Sequence, residues 1–437
     1  MSTNTFLKSD FIRYTSQNIL GQMAYSCYTV ADTFFIAASL GANGLTALNL
    51  AFPAFCLLNG TGLMIGMGGG INYAIAQGQK KALKANSIFT NAFYTVLLFS
   101  AIFLIAGLFF SETLAILLGS DAAVFDMTHT YLKVLLLFSP AFLLNNLLHC
   151  FIRNDRNPSL SMIAMIIGSL ANIILDYIFI FPMQMGILGA ILATGLAPII
   201  SITILSAHFL QKKNNFTLQL NIPDYKKITA IISNGLPPFV TELSSGIVMF
   251  LFNYMILGIT GNIGVAAFSI ITVISLVVVA IFTGLSQGIQ PLFSLSYGQG
   301  STSGVKSILY YSLGTVLFLS CVIYTTIYLG AEQLAAIFNS ESNTVLQNMA
   351  VNGMHLYFLA CPFIGFNIVI ATYFTSTEWS RPAQLITIMR GLIVLVPITY
   401  LLSYLLQMQG VWCAYPVTEA IVAAIGCVFF ALTNKFK

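Results

Sequence analysis

Long apolar stretches dominate the pattern of hydrophobic and polar residues along this 437-residue chain. A helix needs roughly 20 apolar residues to cross the hydrocarbon core of a membrane, and twelve stretches reach that length. The gaps between them leave no room for a soluble catalytic or nucleotide-binding domain. The pattern therefore predicts an all-α membrane protein of twelve transmembrane helices. The predicted spans are 15–39, 45–73, 87–110, 129–152, 159–181, 186–211, 228–258, 262–291, 305–329, 348–376, 383–406 and 410–433.

Composition supports a lipid environment. Hydrophobic residues make up 58% of the chain and charged residues only 7%, whereas a soluble domain carries about a quarter charged residues. No basic face is left once the loops are assigned, so we expect the lipid bilayer as a partner and no nucleic acid. The seven cysteines have no paired spacing, which is typical of small buried side chains. We expect no cofactor.

Lysine and arginine occur in every second connection between the predicted spans. The intervening connections contain neither, and their charge is acidic. Basic connections stay on the cytoplasmic side of a membrane, so we expect a multi-pass protein of the cell (inner or plasma) membrane with both termini in the cytoplasm. The basic positions are Lys80, Lys81, Lys84, Arg153, Arg156, Lys212, Lys213, Lys226, Lys227, Lys306 and Arg381.

The two halves of the chain match each other. Gly41 and Gly44 fall on Gly261 and Gly264 at a spacing of 220 residues, and later motifs match at a spacing of 224. Each half holds six spans, an even number, so the halves share one orientation. We predict an N-terminal six-helix lobe over 1–213 and a C-terminal six-helix lobe over 214–437, related by a pseudo-twofold axis along the membrane normal. Two such bundles around a cleft are typical of secondary transporters.

Several strings, in this order within a duplicated chain, resemble the multidrug and toxic-compound extrusion (MATE) transporters, prokaryotic branch. The resemblance covers nearly the full length. The strings are Val30-Ala-Asp-Thr-Phe34, Leu40-Gly-Ala-Asn-Gly44, Asn172-Ile-Ile-Leu-Asp-Tyr177, Gly186-Ile-Leu-Gly-Ala190 with Thr194, Gly235-Leu-Pro-Pro238 with Glu242, and Gly410-Val-Trp-Cys-Ala-Tyr-Pro416.

The resemblance implies a transporter, not an enzyme, that exports organic cations or drugs in exchange for protons or sodium. It implies alternating access. We expect a monomer. It also implies that the first half holds the cation-coupling site, at Asp32, Asn172, Asp176 and Thr194 with Tyr28. If sodium is the coupling ion, the first four of these residues are expected to hold it.

Acids inside the predicted spans support the same site independently. An Asp at the centre of a membrane helix costs about 2.5–3.5 kcal/mol, and Asp32 and Asp176 both lie within spans. Asn172 and Asp176 are four residues apart and share a helix face, as do Tyr28 and Asp32. If these faces meet, two carboxylates in a dry site cannot both ionise cheaply, and the pair would carry a proton or bind sodium. The alternative is a hydrogen-bonded helix brace without a role in transport.

The repeat argues against a purely structural role. The counterpart of Asp32 is Phe252, and those of Asn172 and Asp176 are Val396 and Tyr400. The acid cluster is thus absent from the second half. A feature that folding alone requires would be expected in both copies.

Other residues are candidates for substrate binding or gating. Glu242 is the main acid of the second half, either a contact for cationic substrate or an interfacial residue. Arg390 and Glu419 are expected to form a structural ion pair. Aromatic and Met side chains suit a cavity for varied organic cations, and the candidates for its wall are Met23, Tyr25, Met64 and Met67.

Two other functions compete with this interpretation. A flippase for lipid-linked oligosaccharide or peptidoglycan precursors, from the same superfamily, would need cationic residues in the central cavity to meet phosphate. The predicted membrane interior offers little beyond Arg390, which disfavours this function. The second alternative is a non-transporting membrane receptor.

Overall fold

The protein is a bundle of long helices. A computed structural model describes residues 3–219, 222–339 and 343–435. Among these residues, eight helices are long and apolar enough to cross a membrane, and one bent pair serves as a ninth span. Three of the eight contain 54 to 74 residues and a break. At 1.5 Å per residue each would be at least about 80 Å long, so each makes two crossings. The count is twelve.

The first half contains α1 to α6. The helix Thr3–Gly78 is broken at Gly41 into α1 (3–40) and α2 (42–78). Then follow α3 (Ala82–Phe109), α4 (Phe125–Leu137 and Ser139–Asn154, bent by 49°), α5 (Pro158–Ile180) and α6 (Gly186–Leu205). Short helices Ser111–Leu117 and Ala207–Leu210 lie in the connections.

The second half contains α7 to α12. The helix Tyr225–Gly298 is broken at Gly261 into α7 (225–260) and α8 (262–298). Next come α9 (Thr302–Phe338) and α10, formed by Thr344–Tyr357, a short 3-10 turn and Cys361–Ser376. Ser380–Ile388, a π-helical turn Met389–Ile393 and 395–406 form α11, and α12 (408–435) follows a break at Gln407.

The helices extend beyond the predicted spans. The predicted connection at 40–44 is reduced to one non-helical residue, Gly41, with φ 61° and ψ −147°. Gly261 is the equivalent break in the second half, with φ 66° and ψ −153°. Only glycine adopts this backbone region readily. A single glycine therefore reverses the chain where the hydrophobic pattern suggested a short loop.

Backbone geometry repeats with the sequence. Positive φ angles occur at Lys80 and Gly300, which are 220 residues apart, and at Arg156 and Glu378, which are 222 apart. These residues follow equivalent helices in the two halves. The internal repeat is thus present in turn conformation even where residue types differ.

Each set of six helices has its own hydrophobic core. We call α1–α6 the N-lobe and α7–α12 the C-lobe. One cluster of buried residues lies in the N-lobe, from Ile36 to Phe216, and also contains Ile231 of α7. The other lies in the C-lobe and also contains Phe11 and Tyr14 of α1. The N-terminal parts of α1 and α7 thus pack into the opposite lobe.

The lobes approach most closely at one end of the bundle, which we call the basic end. It carries the described connections 79–81, 155–157, 211–219, 222–224, 299–301 and 377–379. A Cβ on Gly235 of α7 would collide with the main-chain oxygen of Met64, and one on Gly288 of α8 would lie 2.8 Å from the Cα of Thr15. Glycine is required at both contacts because main chain meets main chain.

Hydrogen bonds reinforce this closure. The amides of Asn154 and Gln290 exchange two bonds of 3.1 Å across the lobes. Asn234 of α7 donates to Asn72 of α2 at 2.9 Å. The cleft between the lobes is therefore closed at the basic end.

Candidate functional site

Asp32 and Asp176 meet inside the N-lobe. Both are buried, with 7% and 0% of their surface exposed, and their carboxyl groups lie within hydrogen-bonding reach of each other. The Oδ1 atoms of both find no hydrogen-bond partner among the described residues. Two carboxylates in contact repel each other in a dry environment, so this arrangement favours a shared proton or a bound cation.

Asn172 and Thr194 complete the polar cluster. In the orientation that satisfies both ends of its amide, Asn172 donates to Oδ2 of Asp176 at 3.0 Å and accepts from the backbone N–H of Thr194 at 3.3 Å. The Thr194 hydroxyl donates to the carbonyl of Ala190 at 3.1 Å. The structure thus brings four of the five predicted coupling residues together from α1, α5 and α6, while their role in coupling stays a prediction.

Tyr28, the fifth, lies one turn from Asp32 and is half-buried. Its ring meets that of Tyr25 edge to face at 4.9 Å. Tyr131 of α4 is buried beside Asp32, Tyr28 and Asp176. Sequence reasoning missed Tyr131 because nothing separates it from the many other aromatic residues in the spans.

A cavity adjoins the acid pair. Tyr28 and Thr194 belong to its wall, and so does Tyr25. Glu242 lines it from the C-lobe, and Asn59 lines it from α2. A compound in this cavity would therefore lie beside the coupling residues.

The methionine candidates lie elsewhere. Met64 is buried where α2 crosses α7. The sulfur of Met67 accepts a hydrogen bond of 3.1 Å from Arg153, and Met23 is half-buried on α1. None of the three lines this cavity, in contrast to Tyr25. Side-chain type at a helical position did not reveal which side of the helix faces the cavity.

Two basic residues of the cavity wall were not expected there. Arg153 was assigned to a loop, yet it is 1% exposed and lines the cavity. His149 is also buried, and its ring nitrogens lie 2.9 Å from the hydroxyls of Ser161 and Ser201. Helix α4 continues past the predicted end of its span at 152 to Asn154, which draws Arg153 into the bundle.

The C-lobe contains a second cavity with different charges. Arg390 donates twice to Oε1 of Glu419, at 3.0 and 2.7 Å. Asn367 donates to Oε2 at 2.7 Å. The expected ion pair is therefore present. Arg390 lies in the π-helical turn of α11 and lines this cavity of about 220 Å³ with Glu419.

These features define a class of protein. Two equivalent six-helix lobes surround a cavity that is closed at one end. An acid pair lies within the membrane-spanning helices. This architecture is typical of a secondary transporter. The comparisons with known proteins agree. The sequence model of the MatE family matches residues 18–178 and 237–401, which is most of the chain. The chain belongs to the MatE family.

Curated relatives and solved structures resemble it over nearly their whole length. "Multidrug export protein MepA" of Staphylococcus saprophyticus is 25% identical over 407 residues, covering 93% of this chain and 89% of the relative. The protein of the same name from Staphylococcus aureus is 25% identical over 411 residues, with the same coverage of both chains.

Among solved structures, one described as the outward-facing conformation of a multidrug resistance MATE family transporter has a TM-score of 0.92. It is 22% identical, with 98% of this chain and 96% of that chain covered. A MATE structure in complex with MaL6 has a TM-score of 0.93 at 22% identity, with 99% and 98% covered. The predicted twelve-helix, two-bundle fold is confirmed.

Proposed function

We propose that this protein exports organic cations and drugs in exchange for protons or sodium by alternating access. It is a multidrug efflux transporter, as the family and the MepA relatives support. The observation that supports coupling is that the acid pair lies next to the cavity. Tyr28 and Thr194 lie near the two acids and also belong to the cavity wall.

The chemistry of the donor set fits a small hard cation. Asp32 and Asp176 would supply carboxylate oxygens, Asn172 an amide oxygen and Thr194 a hydroxyl, and sodium, like other hard cations, prefers oxygen ligands. A proton shared by the two carboxyl groups would serve equally. Either ion removes the repulsion between the carboxylates, which changes the hydrogen bonding of α1, α5 and α6.

The direction of export follows from the distribution of charge. We place both termini and the basic end in the cytoplasm of a cell membrane, which makes the closed end of the cleft cytoplasmic. A compound in the cavity would then leave outward. Ion and drug must oppose each other's binding in this state, because linkage between two sites is reciprocal. We expect the transporter to act as a monomer.

A flippase for lipid-linked precursors is less well supported. The side chains of the described cavity wall that carry full charges are one cation, Arg153, and one anion, Glu242, so the wall has no excess of positive charge. A diphosphate group would call for an excess of cations at this position.

The test is transport by the purified protein in vesicles. Ethidium efflux is measured with an imposed proton gradient, with an imposed sodium gradient and with neither. We expect efflux with at least one gradient and only leakage without. Equal ethidium movement under all three conditions would exclude ion-coupled export.

A further inference from the structure

The connection between the two lobes lies against the N-lobe. We call residues 214–219 of this connection the strap. Three of its backbone N–H groups donate to side chains of the N-lobe: that of Asn215 to Oδ2 of Asp155 at 2.8 Å, that of Thr217 to Oδ1 of Asn86 at 3.1 Å and that of Gln219 to Oγ1 of Thr90 at 3.0 Å. The strap is therefore held in place beside the basic end of α3.

An apolar groove of about 330 Å³ borders the strap. Its wall includes Phe93 of α3, Leu144 and Leu148 of α4, and Phe216 and Leu218 of the strap. Phe216 is fully buried, whereas Leu218 is 55% exposed. In a membrane protein such a groove fits an acyl chain, because hydrocarbon gains dispersion contacts along its whole length.

A basic hollow of about 610 Å³ also borders the strap. Its wall is formed by Leu83, Lys84, Ser87, Gln219 and Lys227. One water needs roughly 10–15 Å³, so the hollow admits a lipid headgroup. The Nζ atom of Lys227 donates to Oγ of Ser87 at 2.8 Å, which fixes this cation at the wall.

Positive charge exceeds negative charge around the hollow. The segments 79–84 and 211–227 contain seven lysines and one acid, Asp224. The carboxylate of Asp224 lies 3.1 Å from Nζ of Lys227. Lys84 is exposed and has no ion pair among the residues that the structure describes. The hollow therefore attracts an anion.

The groove and the hollow are close enough for one molecule. Leu218 of the groove and Gln219 of the hollow are consecutive in the strap. Phe89 of the groove and Ser87 of the hollow are neighbours on α3, with a rise of about 3 Å between them. Leu83 is 78% exposed in the wall of the hollow. Exposed apolar side chains beside lysines are typical of the boundary between headgroups and acyl chains.

We propose that the groove and the hollow together bind an anionic phospholipid from the leaflet at the basic end. Its phosphate contacts Lys84 and Lys227, and one acyl chain lies in the groove. Lysine binds phosphate as a point charge, and basic pockets between transmembrane helices recognise anionic headgroups. The site lies outside the cavity between the lobes and depends on the membrane location, not on drug export. A bound lipid would hold the strap, and with it the connection between the lobes, against the N-lobe.

The test is native mass spectrometry of the full-length protein in detergent. The protein is titrated with phosphatidylglycerol and with phosphatidylcholine of the same acyl chains, so that only the net charge of the headgroup differs. The wild type should bind one phosphatidylglycerol roughly tenfold more tightly than phosphatidylcholine. Lys84→Gln should lower the affinity for phosphatidylglycerol about fivefold, and adding Lys227→Gln should lower it further.

Two matched controls separate the site from general attraction. Lys306→Gln with Arg381→Gln removes two exposed charges from the basic end of the C-lobe and should leave the preference unchanged. Leu144→Trp fills the groove without a change of charge and should weaken phosphatidylglycerol binding. Leu317→Trp, on the lipid-facing side of α9 and 62% exposed in the wild type, should not. Size-exclusion chromatography checks that each variant is folded.

Three outcomes would overturn the inference. Equal affinity of the wild type for both lipids would show that the headgroup is not recognised. An equal loss in the C-lobe double variant would show that only the net charge of the basic end matters. Wild-type binding by Leu144→Trp would mean that an anion is bound without its acyl chain. None of these measurements uses transport, so the proposed function stands or fails separately in the ethidium assay.

Discussion

The two lobes share a fold but place buried charge in opposite ways. The N-lobe brings two acids together, Asp32 and Asp176, without a basic partner in contact. The C-lobe brings an acid and a base together, and Glu419 has both carboxylate oxygens occupied by Arg390 and Asn367. An ion pair is neutral by itself, whereas an acid pair needs a cation from outside. This difference supports the proposal that the N-lobe is the part of the molecule that responds to an ion.

Equivalent positions of the repeat sharpen this contrast. Phe252, the counterpart of Asp32, is fully buried and stacks on Phe268 at 5.3 Å. Tyr400, the counterpart of Asp176, is 49% exposed on the surface of the bundle. The same helix arrangement is therefore compatible with aromatic residues at these positions, so the acids are not needed to build a lobe.

The largest effect is expected from removal of an acid. Asp32→Asn keeps the shape of the side chain but removes one of the two charges that share the cation. Ion-driven dye efflux should fall to the level of empty vesicles, with a similar amount of folded protein in the membrane. Asp126→Asn is the control, since Asp126 is exposed in the first turn of α4. Full efflux by Asp32→Asn would contradict the proposal that the acid pair of the N-lobe couples drug export to an ion.

Breaking the ion pair should affect stability more than coupling. Glu419→Gln leaves Arg390 without its anion, and loss of one member of a buried pair costs about 3–5 kcal/mol. Combining it with Arg390→Met should restore most of that loss. Denaturation of the purified variants measures the free energy of unfolding. If the double variant is no more stable than Glu419→Gln, the pair does not act as a self-neutralising unit.

Cation binding should stabilise the wild type by a smaller amount. A ligand at 100 times its dissociation constant contributes about 2.7 kcal/mol to the native state. The melting temperature in detergent should therefore rise when sodium replaces potassium, or when the pH falls from 8 to 6, according to the coupling ion. Asp176→Asn should lose this rise. An equal rise in both proteins would place the responsible site outside the acid pair.

The smallest effect is expected from Tyr28→Phe. The substitution removes a hydroxyl from the cavity wall but leaves both carboxylates. A neutral hydrogen bond contributes about 0.5–1.5 kcal/mol, so initial efflux rates should fall by about two- to twelvefold. If Tyr28→Phe lost ion-driven efflux completely, Tyr28 would be as important for cation binding as the two acids.

Much of the architecture could be read from the sequence because membrane insertion constrains it strongly. The apolar lengths predicted twelve crossings, and the matching glycines predicted two equivalent halves. The faces of α1 and α5 that carry Asp32 and Asp176 followed from their four-residue spacing to Tyr28 and Asn172. The break at Gly41 was less visible, because hydropathy does not report that one glycine can reverse a helix.

The cavity wall could not be predicted in this way. Met64 and Met67 have the side chains expected of a drug site, yet they lie at helix contacts. Arg153 was expected in a connection, yet it lines the cavity. Which side of a membrane helix faces lipid, a neighbour or a cavity depends on crossing angles between distant segments. In an apolar span nearly every side is hydrophobic, so the pattern carries little information about that choice.

The sequence by itself determined the number of crossings and the duplication, and it singled out candidate residues for binding an ion. These depend on local length, charge and spacing. Only the tertiary structure decided that Asp32 meets Asp176, that Arg390 reaches Glu419 and that Arg153 enters the cleft. Each of these contacts joins helices far apart in the chain, and their energies depend on burial, which arises when the helices pack together.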